Sequence, residues 1–380
     1  MDLIRSAITK TKQVQRAVDE LALTIHKDPA LVLFFASTAY SFEELVACFS
    51  TKYPTSQIVG VTTTGELGPG GFEEFSLSVQ SYSVQFGKLQ ATLMNDIAKY
   101  PIFERQKLVA SVKQVGIQLQ SKNIEREGLA FVFPVGLQAG EEKMLSVVNS
   151  IFEQDGFPIF GGTAGDDAKF EATYVSVNGE ITSTGGAVVF MKPTVDFYII
   201  KENNFESMGK KVKITKADPE KRIVYEMDGR PAAEVYAKAL GVPVSALTKH
   251  WSLHPLGRKF NNEFYNASPF MVRDSGAIEF YCQVYEGATL EILQPRDAIF
   301  ELERTIDHFT NHFTQLNGVL ACNCILRKLQ FQQERLFQKM NERLKHLPSL
   351  CGFSSYGEQL NKSQLNQTMV LIGFGTLRAE

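Results

Sequence analysis

A five-residue apolar run, Leu31-Val32-Leu33-Phe34-Phe35, is the length of a strand buried on both faces. The period then changes. Ser41-Phe42-Glu43-Glu44 has capping-box spacing, and Phe42, Leu45, Val46 and Phe49 recur at i, i+3, i+4 and i+7, which predicts a helix with one apolar face. Pro54 and the apolar Ile58-Val59 lead into Gly60-Val61-Thr62-Thr63-Thr64-Gly65-Glu66. The order is strand, helix, strand, turn.

This unit recurs twice more. In the second copy Leu129-Ala130-Phe131-Val132-Phe133 is the strand, and Met144, Leu145, Val148, Ile151 and Phe152 form the helix's inner face. The copy ends in Phe157-Pro158-Ile159-Phe160-Gly161-Gly162-Thr163-Ala164-Gly165-Asp166-Asp167. In the third, Val319 to Ile325 is the strand, Leu336, Met340 and Leu344 the helix stripe, and Leu347 to Glu358 the closing segment. Repetition of a supersecondary unit fixes architecture more firmly than any single motif.

Aligned on the last glycine, the turns read hydroxyl, any residue, glycine, acid: Thr63-Thr64-Gly65-Glu66, Thr163-Ala164-Gly165-Asp166 and Ser355-Tyr356-Gly357-Glu358. The glycine supplies a positive φ or a close backbone approach, and the hydroxyl can bond the turn's own amides. Strand-like sequence follows each turn: the alternating Phe75 to Val84, Thr173 to Val177 with Gly186 to Met191, and Thr368 to Ile372. The expected fold is mixed α/β (α+β), with layered mixed sheets covered by helices. Right-handed crossovers would place the turns along a carboxyl sheet edge, where such proteins hold ligands. Thr63, Glu66, Thr163, Asp166, Ser355 and Glu358 are therefore one candidate set, suited to a small polar metabolite such as an amino acid. The competing reading is a purely structural turn, since no copy presents a nucleophile and base together.

The apolar pattern breaks between Lys201 and Arg222, at Glu202-Asn203-Asn204 and Lys210-Lys211-Val212-Lys213. This predicts two domains, 1–205 with two copies and 206–380 with one. A chain of 380 residues accommodates two ordinary cores. Its 28 Phe against one Trp point to a phenylalanine-rich interior.

The formal charge of -3 is spread without runs, which argues against nucleic acid as a partner. The first residues lack the apolar segment of a signal peptide, and no stretch approaches about 18 apolar residues, so a cytoplasmic protein without membrane contact is expected. Five cysteines, at 48, 282, 322, 324 and 351, suit reduced thiols. Cys322-Asn323-Cys324 reads as strand interior rather than a soft-metal site. An enzyme built on Cys322 or Cys324 is the weakest reading, because the sequence specifies neither base nor oxyanion site.

With these segments in hand, the chain resembles the FIST family of bacterial sensory modules, which pair an N-terminal with a C-terminal FIST domain. The resemblance rests on Gly60 to Glu66, Gly161 to Asp167 with Asn178-Gly179, His254-Pro255-Leu256-Gly257, Arg327, and Gly352 to Glu358 with Asn366-Gln367-Thr368. It implies a non-catalytic sensor. The stand-alone length further resembles the NosP-type members, which bind haem b non-covalently, sense nitric oxide, and regulate a histidine kinase or a diguanylate cyclase/phosphodiesterase of a two-component or cyclic-di-GMP pathway. Self-association into a homo-oligomer is left open.

Haem in such a protein has to be argued from six histidines, at 26, 250, 254, 308, 312 and 346. His26 and His346 read as structural or solvated. His308 and His312 share a helix face at i, i+4, yet lack a third ligand in register. Pro255 disfavours the helical region for His254, placing it in an extended segment or turn from which it can project into a pocket. His254 is thus the first candidate iron ligand and His250 the second. Trp251, Leu256 and Phe260 would wall a porphyrin, and Arg258, Lys259 and Arg273 would pair with its propionates. A neutral imidazole with an open sixth position would then meet nitric oxide.

Overall fold

The computed structural model describes residues 2–379. Each repeat folds around a parallel pair of strands: Leu31–Ala36 with Gln57–Thr62, Leu129–Pro134 with Ile159–Gly162, and the end of Phe313–Cys324 with Cys351–Ser355. An antiparallel strand flanks each pair, respectively Leu77–Tyr82, Gly186–Pro193 and Met369–Leu377. The crossovers carry the helices Phe42–Lys52 and Glu141–Asn149 and, in the third repeat, the consecutive helices Ile325–Gln333 and Phe337–Leu344. The Ser41 hydroxyl accepts from the Glu44 amide at 3.3 Å, as its spacing predicts. The mixed α/β architecture is therefore the one that the periodicity implies.

Periodicity does not reveal where the chain goes after each turn. The hairpin after the first turn, Glu66–Gly68 and Gly71–Glu73, joins the third repeat's sheet beside Cys351–Ser355. After the third turn, Glu358–Leu360 and Ser363–Leu365 join the second repeat's sheet beside Ile159–Gly162. After the second, Val175–Val177 and Glu180–Thr182 join the first repeat's sheet beside Gln57–Thr62. Each repeat thus completes a neighbour's sheet, and the exchange closes on itself. No repeat has a complete sheet of its own. Accordingly one core cluster contains Phe35, Phe133 and Phe353, one residue from each repeat, with the Phe35 and Phe353 rings stacked at 4.7 Å.

The alternation in Leu77–Tyr82 has a consequence that its pattern alone does not give, because both faces of this strand are buried. Ser78 Oγ donates to the Leu67 carbonyl at 2.6 Å, and Gln80 Nε2 donates to the carbonyls of Val319 at 3.0 Å and Ser349 at 2.8 Å. The polar face is a hydrogen-bonded seam against the third repeat, so its buried polar groups are satisfied. Two element ends also differ from the apolar pattern. Ile325 opens a helix instead of ending the strand, and Ile151 and Phe152 are buried beyond the helix that ends at Asn149.

Between the second and third repeats, the chain builds a fourth sheet in the order Glu263–Ala267, Leu256–Phe260, Thr289–Pro295, Phe205–Asp218, Ile223–Met227, Ile278–Phe280, Pro269–Val272. The helix Ala232–Leu240 covers it, and Val212, Ile214, Tyr236, Trp251 and Leu256 belong to its separate core. The lysine run 210–213 lies inside the long strand Phe205–Asp218. Among the described residues, no helix is long and apolar enough to cross a membrane.

Close packing of the parallel pairs leaves no room at some strand glycines. A Cβ on Gly161 would lie 1.8 Å from the Val132 carbonyl oxygen, a backbone atom that cannot turn aside. Gly161→Ala should therefore destabilise the protein by about 1–3 kcal/mol. A urea midpoint equal to wild type would contradict this packing.

Candidate functional site

The exchange brings the three turns together. The Thr64 amide donates to the Ser354 carbonyl at 3.0 Å, and the Ser354 amide to the Gly65 carbonyl at 2.7 Å. The Gly165 and Asp167 amides donate to the carbonyls of Thr62 and Thr63, both at 2.8 Å. The Thr163 amide donates to the Gly357 carbonyl at 2.8 Å, and the Tyr356 amide to the Thr163 carbonyl at 3.1 Å. First with third, second with first, third with second: the ring is closed. The glycines serve it in two ways. Gly65 has φ +125, whereas a Cβ on Gly165 would lie 2.4 Å from Thr64 Cγ2, so the second turn needs close approach.

Thr63, Glu66, Thr163, Asp166, Ser355 and Glu358, the six turn candidates, are all buried here. Glu66 accepts from the Thr63 hydroxyl, from the Ser76 amide at 3.0 Å and from the Ser76 hydroxyl at 2.6 Å. Glu358 is held in the same way by Ser355 at 2.8 Å and the Thr368 hydroxyl at 2.7 Å. Asp166, one methylene shorter, instead accepts from the amides of Phe170, Glu171 and Ala172 at 2.7–3.0 Å and from the Tyr356 hydroxyl. The carboxyls bond their own protein. Burial raises Glu66 to about 7 and Glu358 to about 8, against the opposing pull of their hydroxyl partners.

A second polar knot lies beside the third turn. Arg327, 1% exposed, pairs with the equally buried Glu202 and donates to Asn204 Oδ1 and Asn323 Oδ1, each at 3.1 Å. Its guanidinium also lies 4.8 Å from the Phe331 ring centre. Glu202 to Asn204 is where the chain leaves the repeats for the fourth sheet, so Arg327 anchors that exit.

The histidine segment is dispersed in space. His254 sits in a turn, half-buried, with Nδ1 3.1 Å from the Leu293 carbonyl. An Nδ1 proton donated there leaves Nε2 as a lone pair. His250 precedes it, half-buried, at the end of the short helix Val244–Lys249. Trp251 and Leu256 belong to the fourth sheet's closed core, while Phe260 is exposed. Lys259 lies over the Phe264 ring, and Arg273 pairs with Glu279 in a different hairpin. These side chains do not surround one space, so they form no ready porphyrin pocket. Elsewhere, His26 bonds Ser81 and the Asp2 carbonyl, and His312 stacks on Tyr198 at 3.9 Å. Cys322 and Cys324 are buried in their strand, with thiols pushed well above the ordinary range by burial. Among the described residues, no group of three or more His, Cys, Asp or Glu side chains could hold a metal.

A cleft of about 690 Å³ lies between the second repeat and the fourth sheet. The helix Glu141–Asn149 and the strand Ser363–Leu365 form one wall, while Arg258, Tyr265, Asn266 and residues 282–285 form the other. Arg222 clasps the two bodies, reaching Glu141 at 2.6 Å and Glu142 at 2.5 Å, and the Gln283 amide donates to Glu142 at 2.8 Å. Of the side chains around this cleft, the sequence singles out only Arg258 as a contact for a ligand, because Glu141-Glu142 looks like any acidic first turn. The run of acidic residues with an apolar helix face gives no sign that a distant arginine answers it.

The chain matches the FIST N domain over residues 30–230 and the FIST C domain over residues 232–361. The junction between them falls inside the fourth sheet. An uncharacterized protein of Methanocaldococcus jannaschii is 24% identical over 272 residues, an alignment covering 63% of this chain. The chain spans about half, 52%, of that relative's length.

Glu66 and Glu358 hold protons in the fold at pH values where the unfolded chain has released them, so stability should fall as pH rises from about 4.5 through 7 and 8. Each unit of raised pKa corresponds to roughly 1.4 kcal/mol. Glu358→Gln should flatten this slope in urea titrations across the window; an unchanged slope would assign the dependence to other groups. Arg327→Met leaves Glu202 buried and unpaired, and should cost about 3–5 kcal/mol in the same assay. A loss below about 1 kcal/mol would show that the pair is not structural.

Proposed function

Because the chain belongs to the FIST family, with both FIST domains matched along it, we propose that it is a sensory protein of a signalling pathway. On this reading it is non-catalytic and binds a small molecule in the cleft between the second repeat and the fourth sheet. The observation that carries the reading is the cleft itself. Its volume falls within the roughly 300–1,000 Å³ typical of small-molecule sites. The six turn residues support it differently, as the scaffold beneath one wall, since their polar groups bond one another. A ligand in the cleft touches both bodies. It therefore favours one separation of the Arg222–Glu141/Glu142 clasp over another, and differential affinity of that kind is what moves a conformational equilibrium. The exposed surface on either side then changes for a signalling partner.

A second reading, a haem-bound nitric oxide sensor that governs a histidine kinase or cyclic-di-GMP enzyme, has the His254 tautomer in its favour. Haem would supply the iron that takes up the gas, and His254 Nε2 would hold it. The surrounding side chains would have to open to admit the ring. A Soret band on haem addition that is lost in His254→Ala would carry this reading; no band in wild type would remove it.

The cleft reading is tested by a thermal-shift screen of small metabolites on wild type and on Ala288→Trp, which fills the cleft from its rim. Hits should raise Tm in wild type and lose that effect in the variant. Hits that act equally on both proteins, or a complete absence of hits, would overturn it.

A further inference from the structure

The charges lining the cleft do not cancel locally. Its acids are Glu142, Asp155 and Glu220, and its cations Lys143, Arg258 and Lys362. Every acid already has a partner: Glu220 pairs with Lys143 at 2.8 Å, Asp155 with Lys362 at 2.5 Å, and Glu142 with Arg222 from behind the wall at 2.5 Å. Arg258, among the described residues, has neither an ion pair nor a hydrogen bond. It stands on the strand Leu256–Phe260, opposite Tyr265 in the register, and that pairing directs it to the cleft that Tyr265 also lines. Gln364, on the same wall, is 7% exposed and turns its amide inward, to Gln359 and against Gly357, which leaves Arg258 as the unanswered group.

We infer that the cleft selects a small organic carboxylate with an uncharged, partly apolar body, anchored by Arg258. This deepens the cleft reading above and rests on it. The guanidinium offers a planar, two-pronged donor that matches a carboxylate. Val284, Leu290, Ala267 and Leu365 give the body of the ligand an apolar surface. The selection also works by exclusion. Asp155 and Glu220 each have a lysine and Glu142 shares Arg222 with Glu141, so the ammonium of a free amino acid would compete with an existing pair to find a counter-charge. A carboxylate without an amine has no such cost.

The test is calorimetry and thermal shift with phenylacetate, phenylacetamide, phenylalanine and phenylethylamine, with pyruvate and acetate as acids of smaller body. Wild type should bind at least one acid, with the amide, the amino acid and the amine at least ten-fold weaker than the acid of matching body. Arg258→Gln should weaken the acid by ten-fold or more, and Arg258→Lys should restore part of the loss. Arg258 is exposed, so these variants keep the fold; Arg273→Gln, at a distant hairpin, should bind as wild type does. Equal binding of amide and acid, an unchanged affinity in Arg258→Gln, or no binding of any acid at millimolar concentration would each overturn the inference. If neutral or cationic molecules bind and Ala288→Trp abolishes it, only the preference for carboxylates falls and the cleft reading survives. If no small molecule binds the wild type differently from Ala288→Trp, both fall.

Discussion

The closed ring of hydrogen bonds among the three turns is the constraint on which the rest of the architecture depends. A hairpin can leave its own sheet for a neighbour's only if the backbone at the point of departure stays paired, because buried amides and carbonyls without partners are costly. Thr62 to Gly65, Thr163 to Asp167 and Ser354 to Gly357 satisfy one another at that point. Exchange then binds the repeats into one body: the first repeat lends its hairpin to the third, the third to the second, and the second to the first. Residues far apart in sequence, such as Thr64 and Ser354, are consequently neighbours whose loss would be felt in two sheets at once.

That ring also explains the acids. Glu66 and Glu358 each lie where a turn passes into the exchanged hairpin, and each receives the turn's own hydroxyl three residues back and a hydroxyl and an amide from the residue ten positions on. Among the described residues, no cation sits in hydrogen-bond contact with either. A carboxyl in such a place is most easily kept protonated, and the raised values of about 7 and 8 express that. The second turn solves the problem differently. Asp166 is too short to reach the equivalent segment and accepts from the amides of 170–172, in the loop 167–172 where Asp167, Ala168 and Phe170 adopt positive φ. The pseudo-threefold arrangement is thus broken at the repeat that also forms one wall of the cleft.

Much of the architecture was legible along the chain because it is encoded locally. The apolar run at 31–35, the cap at Ser41 and the helix stripe through Phe49 concern neighbours in sequence, and the structure has them where periodicity places them. The turn glycines were legible too, although only the structure shows that Gly65 is there for its φ and Gly165 for the approach of Thr64. The hairpin exchange was not, since Val175 pairing with Val61 and Glu66 pairing with Phe353 leave no periodic trace. The histidine segment illustrates a related limit. Pro255 does place His254 in a turn, but of Leu256, Arg258 and Phe260, which share one strand face, only Leu256 lies where the strand also pairs with Thr289–Pro295; it is buried, and the two residues beyond that pairing are exposed. Arg258 was singled out as a partner for an anion and it does face a cavity, though one lined by the second repeat and not by histidine.

The position of the cleft follows from how the two bodies are joined. The fourth sheet leaves the repeats at Glu202 to Asn204 and returns at Arg296, whose amide donates to the Asn204 carbonyl at 2.7 Å, so both connections lie at one edge. Arg327 holds that edge with a buried ion pair. The opposite edge is held by Arg222 on Glu141 and Glu142, together with the partly exposed Lys143–Glu220 pair. The Lys143–Glu220 pair near solvent contributes little and weakens with salt, whereas the Arg222 cluster and the Arg327 anchor, both largely buried, cannot open without stranding charge. The cleft thus lies between two edges held by buried charge, so a ligand that bridges its walls shifts their separation only by as much as it binds one arrangement better than another.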